Sequence, residues 1–482
     1  MAKNITPKEK NFSQWYQDVI RVAELADNAP VRGCMVVRPN GYGIWENIQA
    51  VFDRAFKKTG HENAYFPLLI PNSFMEREAK HVKGFSPELA VVTHAGGAEL
   101  EEPYVIRPTS ETVIGHMYSQ WVQSWRDLPI LINQWCNVMR WERRPRLFLR
   151  TSEFLWQEGH TAHASRKEAE EETLLMLNVY QEIMSKDLAL PVIYGEKSMN
   201  ERFPGAENTY SCEAMMGDKK ALQAGTSHFL GQNFARAFDI SFQNRDGEIE
   251  FAWTTSWGVS TRLIGALIMT HADNDGLVLP PNVAPVKAAI IPISDDDEKL
   301  KDDLEPMAEA ISSRLDRALG AQATKIDRQY HIRPVDRFFH HLQRGVPLRI
   351  EIGAREFAGN LVRIVRRDTS EREMVSLDTI ESRVKDLLSD IQNRMYKQAY
   401  DFLQKNTRDV SNFEEMKEFF ASKDSGGFAR AFFAGSCDDE DEIKSVTGGV
   451  TVRCMPADDD TRGKCVFTGR DNARRAIFAK AY

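Results

Sequence analysis

Two arginine-bearing segments of the chain combine residue types that suit a nucleoside triphosphate. In the first segment, Arg140 and Glu142 stand two positions apart, and Arg150 follows after a basic loop. Residues i and i+2 of a strand project to one face, so a hairpin here would present both side chains together. Arginine donates paired hydrogen bonds to phosphate oxygens, and a glutamate can accept from an adenine amino group. In the second segment, Arg262 opens a predicted helix after Gly258 and would add a cation at the phosphates.

An Arg-x-Glu pattern is weak evidence by itself, because exposed ion pairs on strands are common and contribute little. The surrounding strings are more specific: Pro108–Thr112 lies upstream, and Gly225–Phe234 lies between the two arginine segments. These strings resemble the prolyl-tRNA synthetases of the archaeal and eukaryotic type. The arginine segments themselves resemble motifs 2 and 3 of the class II aminoacyl-tRNA synthetases, and the resemblance covers nearly the whole chain in the expected order.

The resemblance implies a proline–tRNA ligase that forms prolyl-adenylate from L-proline and ATP and transfers the prolyl group to the 3′ end of tRNA(Pro). It implies ATP and Mg²⁺ at the site, with Arg140 and Arg262 as catalytic residues. Arg140 would contact the α-phosphate and the amino-acid carboxylate, and Glu142 would contact the adenine amino group. The nucleotide-binding residues that it implies are Arg140, Glu142, Arg150, Gln223, Thr226, Ser260 and Arg262.

A pocket for the amino acid is implied by the same resemblance. Its residues are Thr109, Glu111, Arg140, Phe154, Trp156, Glu158, His160, Phe203, His228, Trp257 and Ser260. The mixture is physically sensible, because a pyrrolidine ring needs an apolar wall and its secondary ammonium needs an acceptor such as Thr109 or Glu111.

Two alternatives stay open at this point. Another class IIa synthetase, for threonine, histidine or glycine, would share the ATP residues and differ in the pocket. A noncatalytic RNA-binding paralogue would be expected to have lost Arg140, Glu142 or Arg262, all of which are present.

Composition agrees with a large multidomain enzyme. The chain has 482 residues, of which 42% are hydrophobic, and this is enough for two or three domains. Six scattered cysteines predict free thiols in a reducing compartment. The start of the chain is polar and no long apolar run follows, so we predict a cytoplasmic protein with no membrane partner.

Local charge matters more than the formal net charge of −8. Residues 321–372 contain 11 basic and six acidic residues, which suits a surface that faces RNA. We therefore expect tRNA as a partner despite the overall acidity.

The segment from Gly43 to Pro71 predicts a helix at Ile44–Lys58 and then a strand at Ala64–Pro67. Proline cannot donate to a central ladder, so this strand should lie at a sheet edge or end. In the resembling family these elements form motif 1, which builds the dimer interface, and a homodimer is implied.

An α+β fold with three parts is predicted: a class II catalytic domain at 1–285, an anticodon-binding domain at 286–398 and a C-terminal module at 399–482. Short apolar runs between Tyr104 and Thr270 predict an antiparallel sheet, flanked by a helix at Arg166–Leu188. The prolines of Pro280–Pro285 indicate a linker. The alternating elements expected beyond it are strands at Lys287–Ile293, Gln322–Ile326, Pro347–Gly353 and Leu361–Arg367, and helices at Asp297–Leu319, Val335–Arg344 and Leu377–Lys405.

The sequence departs from the family in three places. The zinc ligand positions of the C-terminal module hold Ala434, Asp439, Cys465 and Thr468, so we expect no structural zinc. The stretch between Glu158 and Trp257 is too short for an inserted editing domain. The strings Pro334–Phe338 and Gly353–Glu356 differ from the family's anticodon-domain strings, so base-reading residues cannot be transferred.

Overall fold

The computed structural model describes residues 4–81, 89–421 and 426–482. In the first part of the chain, the helices are α1 Phe12–Val22, α2 Pro39–Lys58, α3 Asn72–His81, α4 Glu111–Trp121, α5 Arg166–Lys186, α6 Asn233–Phe238 and α7 Arg262–His271, with a 3₁₀ turn at Trp125–Asp127. The strands are β1 Ala26–Asn28, β2 Met35–Val37, β3 Glu62–Asn63, β4 Leu69–Pro71, β5 Val91–Ala95, β6 Ala98–Ile106, β7 Ile130–Met139, β8 Glu153–His163, β9 Val192–Glu196, β10 Asn208–Met215, β11 Ala221–Gly231, β12 Ser241–Gln243, β13 Ile249–Phe251 and β14 Trp253–Ser260.

The strands of the catalytic domain form the predicted antiparallel sheet, in the order β9-β10-β11-β14-β8-β7-β3. All neighbours in this series are antiparallel except β3 and β7. Helices α2 and α5 pack on one face, where Phe52, Phe56 and Tyr180 belong to the largest core cluster. The opposite face of the sheet is therefore left to carry a site.

The motif 1 segment differs in detail from the prediction. Helix α2 begins at Pro39, because proline suits the first helical position, where its missing N–H is not needed. Residues 64–67 are not a strand: the edge strand is β3, and the backbone N–H of Phe66 donates to the side chain of Gln134 at 2.5 Å. A side-chain acceptor thus replaces the ladder bond in front of Pro67.

The second part of the chain is the predicted α/β domain with a mixed sheet. Its elements are β15 Ala288–Pro292, α8 Asp297–Lys299, a π-helical turn at Leu300–Leu304, α9 Glu305–Leu319, β16 Thr324–Ile326, α10 Pro334–Gln343, β17 Leu348–Ile352, α11 Ala354–Ala358, β18 Leu361–Arg366, β19 Arg372–Ser376, a 3₁₀ turn at Leu377–Thr379 and α12 Ile380–Lys405. The strand order is β16-β15-β17-β18-β19, parallel over the first three strands and antiparallel beyond. The sequence predicted a continuous first helix, which the π-helical turn interrupts, and it did not predict β19.

The C-terminal module is joined to the catalytic domain by a shared sheet. Its elements are β20 Thr407–Asp409, α13 Phe413–Ala421, β21 Phe428–Phe433, α14 Cys437–Val446, β22 Val450–Pro456, β23 Arg462–Gly463 and β24 Ala473–Lys480. Strand β22 pairs with β9 of the catalytic domain, with Met455 opposite Glu196. The sheet consequently runs through both parts and contains 12 strands.

A search of the described residues finds no helix whose length and apolar content would let it cross a bilayer.

Candidate active site

Three adjacent strands place polar side chains on the sheet face opposite α2 and α5. On β8, the side chains of residues 154, 156, 158 and 160 all point to this face, because successive side chains of a strand point to opposite faces of the sheet. On β14, Gly258 lies between Glu158 of β8 and Thr226 of β11. Ser256 similarly lies between His160 and His228. Since Gly258 has no side chain, a hollow remains at the centre of this face.

A cavity of about 340 Å³ occupies that hollow. Among the sequence-predicted site residues, those that line it are Thr109, Glu111, Arg140, Phe154, Trp156, Glu158, His160, Phe203, Gln223, Thr226, His228, Trp257, Ser260 and Arg262. Residues separated by up to 153 positions in the chain thus meet at one place.

A second cavity of about 290 Å³ adjoins the first and is lined by the two remaining predicted residues, Glu142 and Arg150. The two cavities share Arg140, Phe154, Ser260 and Arg262. One correction concerns the hairpin: β7 ends at Met139, so Arg140 and Glu142 lie beyond the strand. The backbone N–H of Arg140 still donates to the Ser152 carbonyl at 2.7 Å, which fixes the turn that carries both residues.

The arginines at this junction are held by backbone carbonyls. Arg140 donates from Nε to the Pro108 carbonyl at 2.8 Å, and Arg262 donates from Nε to the Leu149 carbonyl at 3.2 Å. Burial, together with the nearby cations Arg150 and Arg140, lowers the pKa of Arg262 to about 10. Three guanidinium groups therefore converge where an anion would relieve their repulsion.

Glu142 is oriented by its own loop. Its Oε1 accepts from the backbone N–H of Arg144 at 2.8 Å, and its Oε2 lies 3.6 Å from Nε of Arg150. The carboxylate therefore lies at the second cavity, at the end away from His160 and His228.

The floor of the first cavity contains a buried network around Glu158. Its carboxylate accepts from the hydroxyl of Ser110, and it accepts from Nε2 of Gln134 at 2.9 Å. It also lies 3.1 Å from Nε2 of His160. Burial alone would raise the pKa of Glu158 and lower that of His160, but their mutual contact reverses both shifts and favours a charged pair.

Close to this network, Thr109 donates from its hydroxyl to the Glu111 carboxylate. Arg140 lies over the rings of Phe154 and Trp156, at 5.7 and 5.3 Å from their centroids. An apolar wall, a carboxylate and a guanidinium therefore surround the same space, which suits a small zwitterion.

A second histidine lies on the far side of the cavity. The ring of His228 packs against that of Phe203 at 4.6 Å, and its Nδ1 lies 3.0 Å from the hydroxyl of Thr209. Burial and the nearby His160 lower the pKa of His228 to about 3, so its ring is neutral at pH 7.

Trp257 lines the cavity, but its indole ring points away from it. It packs on the opposite face of the sheet, 5.0 Å from the ring of Phe56 and 5.0 Å from that of His61. The alternation of β14 explains this, because Ser256 and Gly258 face the cavity and the residue between them cannot. Trp257 therefore offers its backbone to the cavity, and its ring supports the sheet from below.

Sequence reasoning missed several lining residues. In the first cavity these are Glu201, Arg202, Pro204, Thr209, Ala224, Gly225, Ser256, Gly258 and Val259, and in the second they are Trp141, Phe148, Leu149 and Thr151. Alternation along the Ser256–Arg262 string could have identified Ser256 and Gly258. No pattern marks the loop around Arg202, which reaches the cavity through tertiary packing.

Among the described residues, the group that could hold an ion is Glu111, Glu158 and His160, all buried at the cavity floor. At the predicted zinc positions, the Sγ of Cys465 accepts from the backbone N–H groups of Ala434 and Thr468, at 3.3 and 3.4 Å. Asp439 instead accepts from Ser436 at the start of α14.

Three family models match the chain in order. The model described as tRNA synthetase class II core domain (G, H, P, S and T) matches residues 93–271. The anticodon binding domain model matches residues 287–387, and the model described as prolyl-tRNA synthetase, C-terminal, matches residues 413–482.

Whole-length relatives agree with these matches. The chain is 51% identical to a proline–tRNA ligase of Bacteroides fragilis over 499 aligned residues, covering 100% of this chain and 99% of the relative. It is also 51% identical to a proline–tRNA ligase of Chloroherpeton thalassium, covering 100% of both. Among solved structures, the prolyl-tRNA synthetase of Cryptosporidium parvum complexed with halofuginone and AMPPNP superimposes with a TM-score of 0.93 at 39% identity, covering 99% of each chain. A second structure of that enzyme, complexed with L-proline and AMP, gives a TM-score of 0.92 at 38% identity, covering 99% of this chain and 96% of the other.

Proposed function

The chain belongs to the prolyl-tRNA synthetase family of aminoacyl-tRNA ligases, and we propose that its two adjoining cavities bind L-proline and ATP. In this assignment the first cavity takes the amino acid, and the nucleotide lies in the second cavity and extends across the shared junction to Gln223 and Thr226 of the first. We call the proposed nucleotide-binding residues Arg140, Glu142, Arg150, Gln223, Thr226, Ser260 and Arg262 the ATP subsite.

The observation that carries this proposal is the junction of the two cavities. Arg140 and Arg262 line both cavities, and neither forms an ion pair with a carboxylate of the described residues. Guanidinium groups that lack a carboxylate partner attract anions, so this junction suits the anionic groups of two substrates. The aromatic side chains of Trp156 and Phe203 line only the first cavity, so the two cavities differ in chemistry.

Activation of an amino acid requires no protein nucleophile. The carboxylate oxygen of proline attacks the α-phosphorus, and the bond to pyrophosphate breaks. Arg140 holds both anions in line, while Arg262 and Arg150 neutralise charge that develops on the leaving phosphates. The hydroxyl of the terminal adenosine of tRNA(Pro) then attacks the prolyl carbonyl and releases AMP.

The residues also fit a magnesium ion that arrives with the nucleotide. Gln223 and Thr226 offer neutral oxygens at the cavity wall, and Mg²⁺ commonly completes its shell with phosphate oxygens and water. When bound, Mg²⁺ supplies further charge neutralisation at the phosphates. Glu111, Glu158 and His160 already bond within the network at the amino-acid end and are not assigned to this ion.

Within the family, we assign the protein to the archaeal and eukaryotic type. In its favour, residues 159–256 are all described and contain α5, α6 and β9–β13, with no additional domain. We accordingly propose that the protein has no editing site of its own in this stretch. We further propose a cytoplasmic homodimer without structural zinc.

The experiment that tests the function is ATP–pyrophosphate exchange with single amino acids. Proline should support exchange, whereas threonine, histidine and glycine should not. Exchange with one of those three in place of proline would favour a different class IIa synthetase. Absence of exchange with every amino acid, in a folded protein, would favour the noncatalytic RNA-binding alternative.

A further inference from the structure

A buried group of charged residues joins the C-terminal module to the catalytic sheet. We name it the Glu213 cluster; it consists of Lys197, Ser211, Glu213 and Arg453. The side chain of Glu213 is 0% exposed. Its Oε2 accepts from Nε of Arg453 at 3.0 Å, and its Oε1 accepts from the hydroxyl of Ser211 at 2.8 Å. The Lys197 ammonium lies 3.2 Å from the same Oε1. Arg453 lies on β22 of the C-terminal module, and the other members belong to the catalytic domain.

The cluster lies directly beside the ATP subsite. In the pairing of β10 with β11, Glu213 is opposite Gln223 and Ser211 is opposite Thr226. Residues directly opposite each other in an antiparallel pair lie on one face with their Cβ atoms in close proximity. The carbonyl of Gln223 also accepts from Nη1 of Arg262 at 3.5 Å. Glu213 thus lies directly across the ladder from one ATP-subsite position, and its hydrogen-bond partner Ser211 lies directly across from a second.

The charges of the cluster extend to Arg262. Burial alone would raise the pKa of Glu213, but Lys197 and Arg453 outweigh it and keep the carboxylate ionised. Among the influences on the pKa of Arg262, Glu213 opposes the effect of burial and Arg453 adds to it. The position of one carboxylate between these cations therefore affects the field at the phosphate-facing guanidinium.

We propose that Arg453 is a positioning residue for the ATP subsite, which it serves by holding the Glu213 carboxylate away from Arg262 and the phosphates. This inference rests on the proposed placement of ATP. Without Arg453, Oε2 of Glu213 loses its charged donor within the buried cluster. The freed carboxylate would then compete for Arg262 or repel the nucleotide. The C-terminal module would thus support catalysis without touching a substrate.

The test is Arg453→Met, which keeps much of the side-chain volume and removes the charge. We expect the KM for ATP to rise roughly tenfold or more, as is typical when a partner behind a binding residue is lost. The KM for proline should change much less. Calorimetric binding of AMPPNP should weaken by a similar factor, which measures the effect without turnover.

A matched control is available on the same module. Arg474 of β24 pairs with Glu196 of β9, with Nη1 2.6 Å from Oε2, so it also ties the module to the catalytic sheet. It has no partner in the Glu213 cluster or the ATP subsite among the described residues. Arg474→Met should leave the KM for ATP near that of the unmodified protein.

A double variant distinguishes a role of Arg453 in positioning the Glu213 carboxylate from a role in holding the C-terminal module on the catalytic sheet. In Arg453→Met/Glu213→Gln the uncompensated carboxylate is gone, and ATP binding should recover at least in part. Equal rises in both KM values, a matching loss in Arg474→Met, or no recovery in the double variant would each overturn the inference. If Arg453→Met does not fold, Arg453→Lys replaces it, because lysine keeps the charge but lacks the paired N–H donors of the guanidinium. Arg453→Lys must still raise the KM for ATP more than the KM for proline.

Gln223→Ala distinguishes the failure of this inference from that of the proposed site. If Gln223→Ala leaves AMPPNP binding unchanged, the placement of ATP is wrong and the inference falls with it. If Gln223→Ala weakens binding but Arg453→Met does not, the ATP subsite stands and only the role of Arg453 is rejected.

Discussion

The indole of Trp257 fills the space that a side chain at Gly159 would need. The two residues are opposite each other on β14 and β8, and a Cβ placed on Gly159 would lie 2.1 Å from Cε2 of the indole. Gly159 separates Glu158 from His160, which face the cavity on the other side of the sheet. The ring beneath the strand and the polar network above it are therefore coupled through one glycine.

We predict that Gly159→Ala destabilises the protein by about 1–3 kcal/mol, because the added methyl group overpacks a filled core. The strand should move towards the cavity, so the KM for proline should rise as well. Thermal unfolding and exchange kinetics measure the two effects. Gly426→Ala is the control, since its nearest neighbouring atom would be 3.7 Å away. Unchanged stability and proline KM in Gly159→Ala would contradict the coupling.

A second prediction concerns Arg140. Arg140→Ala removes the one guanidinium that would contact both reacting anions, and the loss of such a preorganised donor costs on the order of 2–4 kcal/mol of transition-state stabilisation. The loss should appear in ATP–pyrophosphate exchange before tRNA is added. Arg383→Ala, which breaks only an exposed pair with Glu373, should retain activity. Exchange by Arg140→Ala near the unmodified rate would remove Arg140 from its proposed role.

Much of the fold followed from local patterns in the sequence. The antiparallel sheet and the mixed α/β sheet are both present, because short apolar runs and alternating elements report directly on sheet type. Strand alternation also explains why Phe154, Trp156, Glu158 and His160 meet at one cavity.

Tertiary relationships were not predictable in this way. The resemblance of a string does not say which face a side chain occupies, so it could not show that the ring of Trp257 packs on the face opposite the cavity. The pairing of β22 with β9 joins segments that lie about 260 residues apart in the chain, so no local sequence pattern indicates it. Arg337 is one of the basic residues counted in 321–372, yet it is 3% exposed and its Nε donates to Asp327 at 3.0 Å. Burial of that kind is visible only in the folded chain.

The third prediction concerns zinc. Of the four expected ligand positions, only Cys465 supplies a thiolate, and its sulfur already accepts two backbone N–H groups. We expect Mg²⁺-dependent activity and no stoichiometric zinc by elemental analysis of the purified protein. A content of about one zinc per chain, lost together with folding upon chelation, would contradict this expectation.

The fourth prediction concerns assembly. Tyr65 and Leu69 are 72% and 41% exposed in the motif 1 region, and a group of exposed apolar side chains often marks an interface. Sedimentation should give a two-fold dimer at micromolar concentration, and Tyr65→Glu should weaken it by burying an unpaired charge. Ile249→Glu is a matched control, because Ile249 is 71% exposed on strand β13, outside the motif 1 segment. A monomeric unmodified protein, or equal effects of both variants, would count against this interface.

The last prediction concerns fidelity, and it follows from the stretch between β8 and β14. Alanine is smaller than proline, so the walls formed by Phe154, Trp156 and Phe203 cannot exclude it sterically. Discrimination by lost apolar contact is limited to about 1–3 kcal/mol per methylene group, and cysteine is close to proline in volume. We therefore expect measurable exchange with alanine and with cysteine, each weaker than with proline.

Residues 159–256 contain no additional domain that could hold a hydrolytic site, so misacylated product should persist. The measurement is deacylation of preformed alanyl-tRNA(Pro) by the purified enzyme, with Arg140→Ala as the control for hydrolysis that depends on the synthetic site. A rate equal to the spontaneous one is expected for both proteins. Hydrolysis well above that rate in both would require an editing site outside the two cavities, because loss of Arg140 would not have affected it.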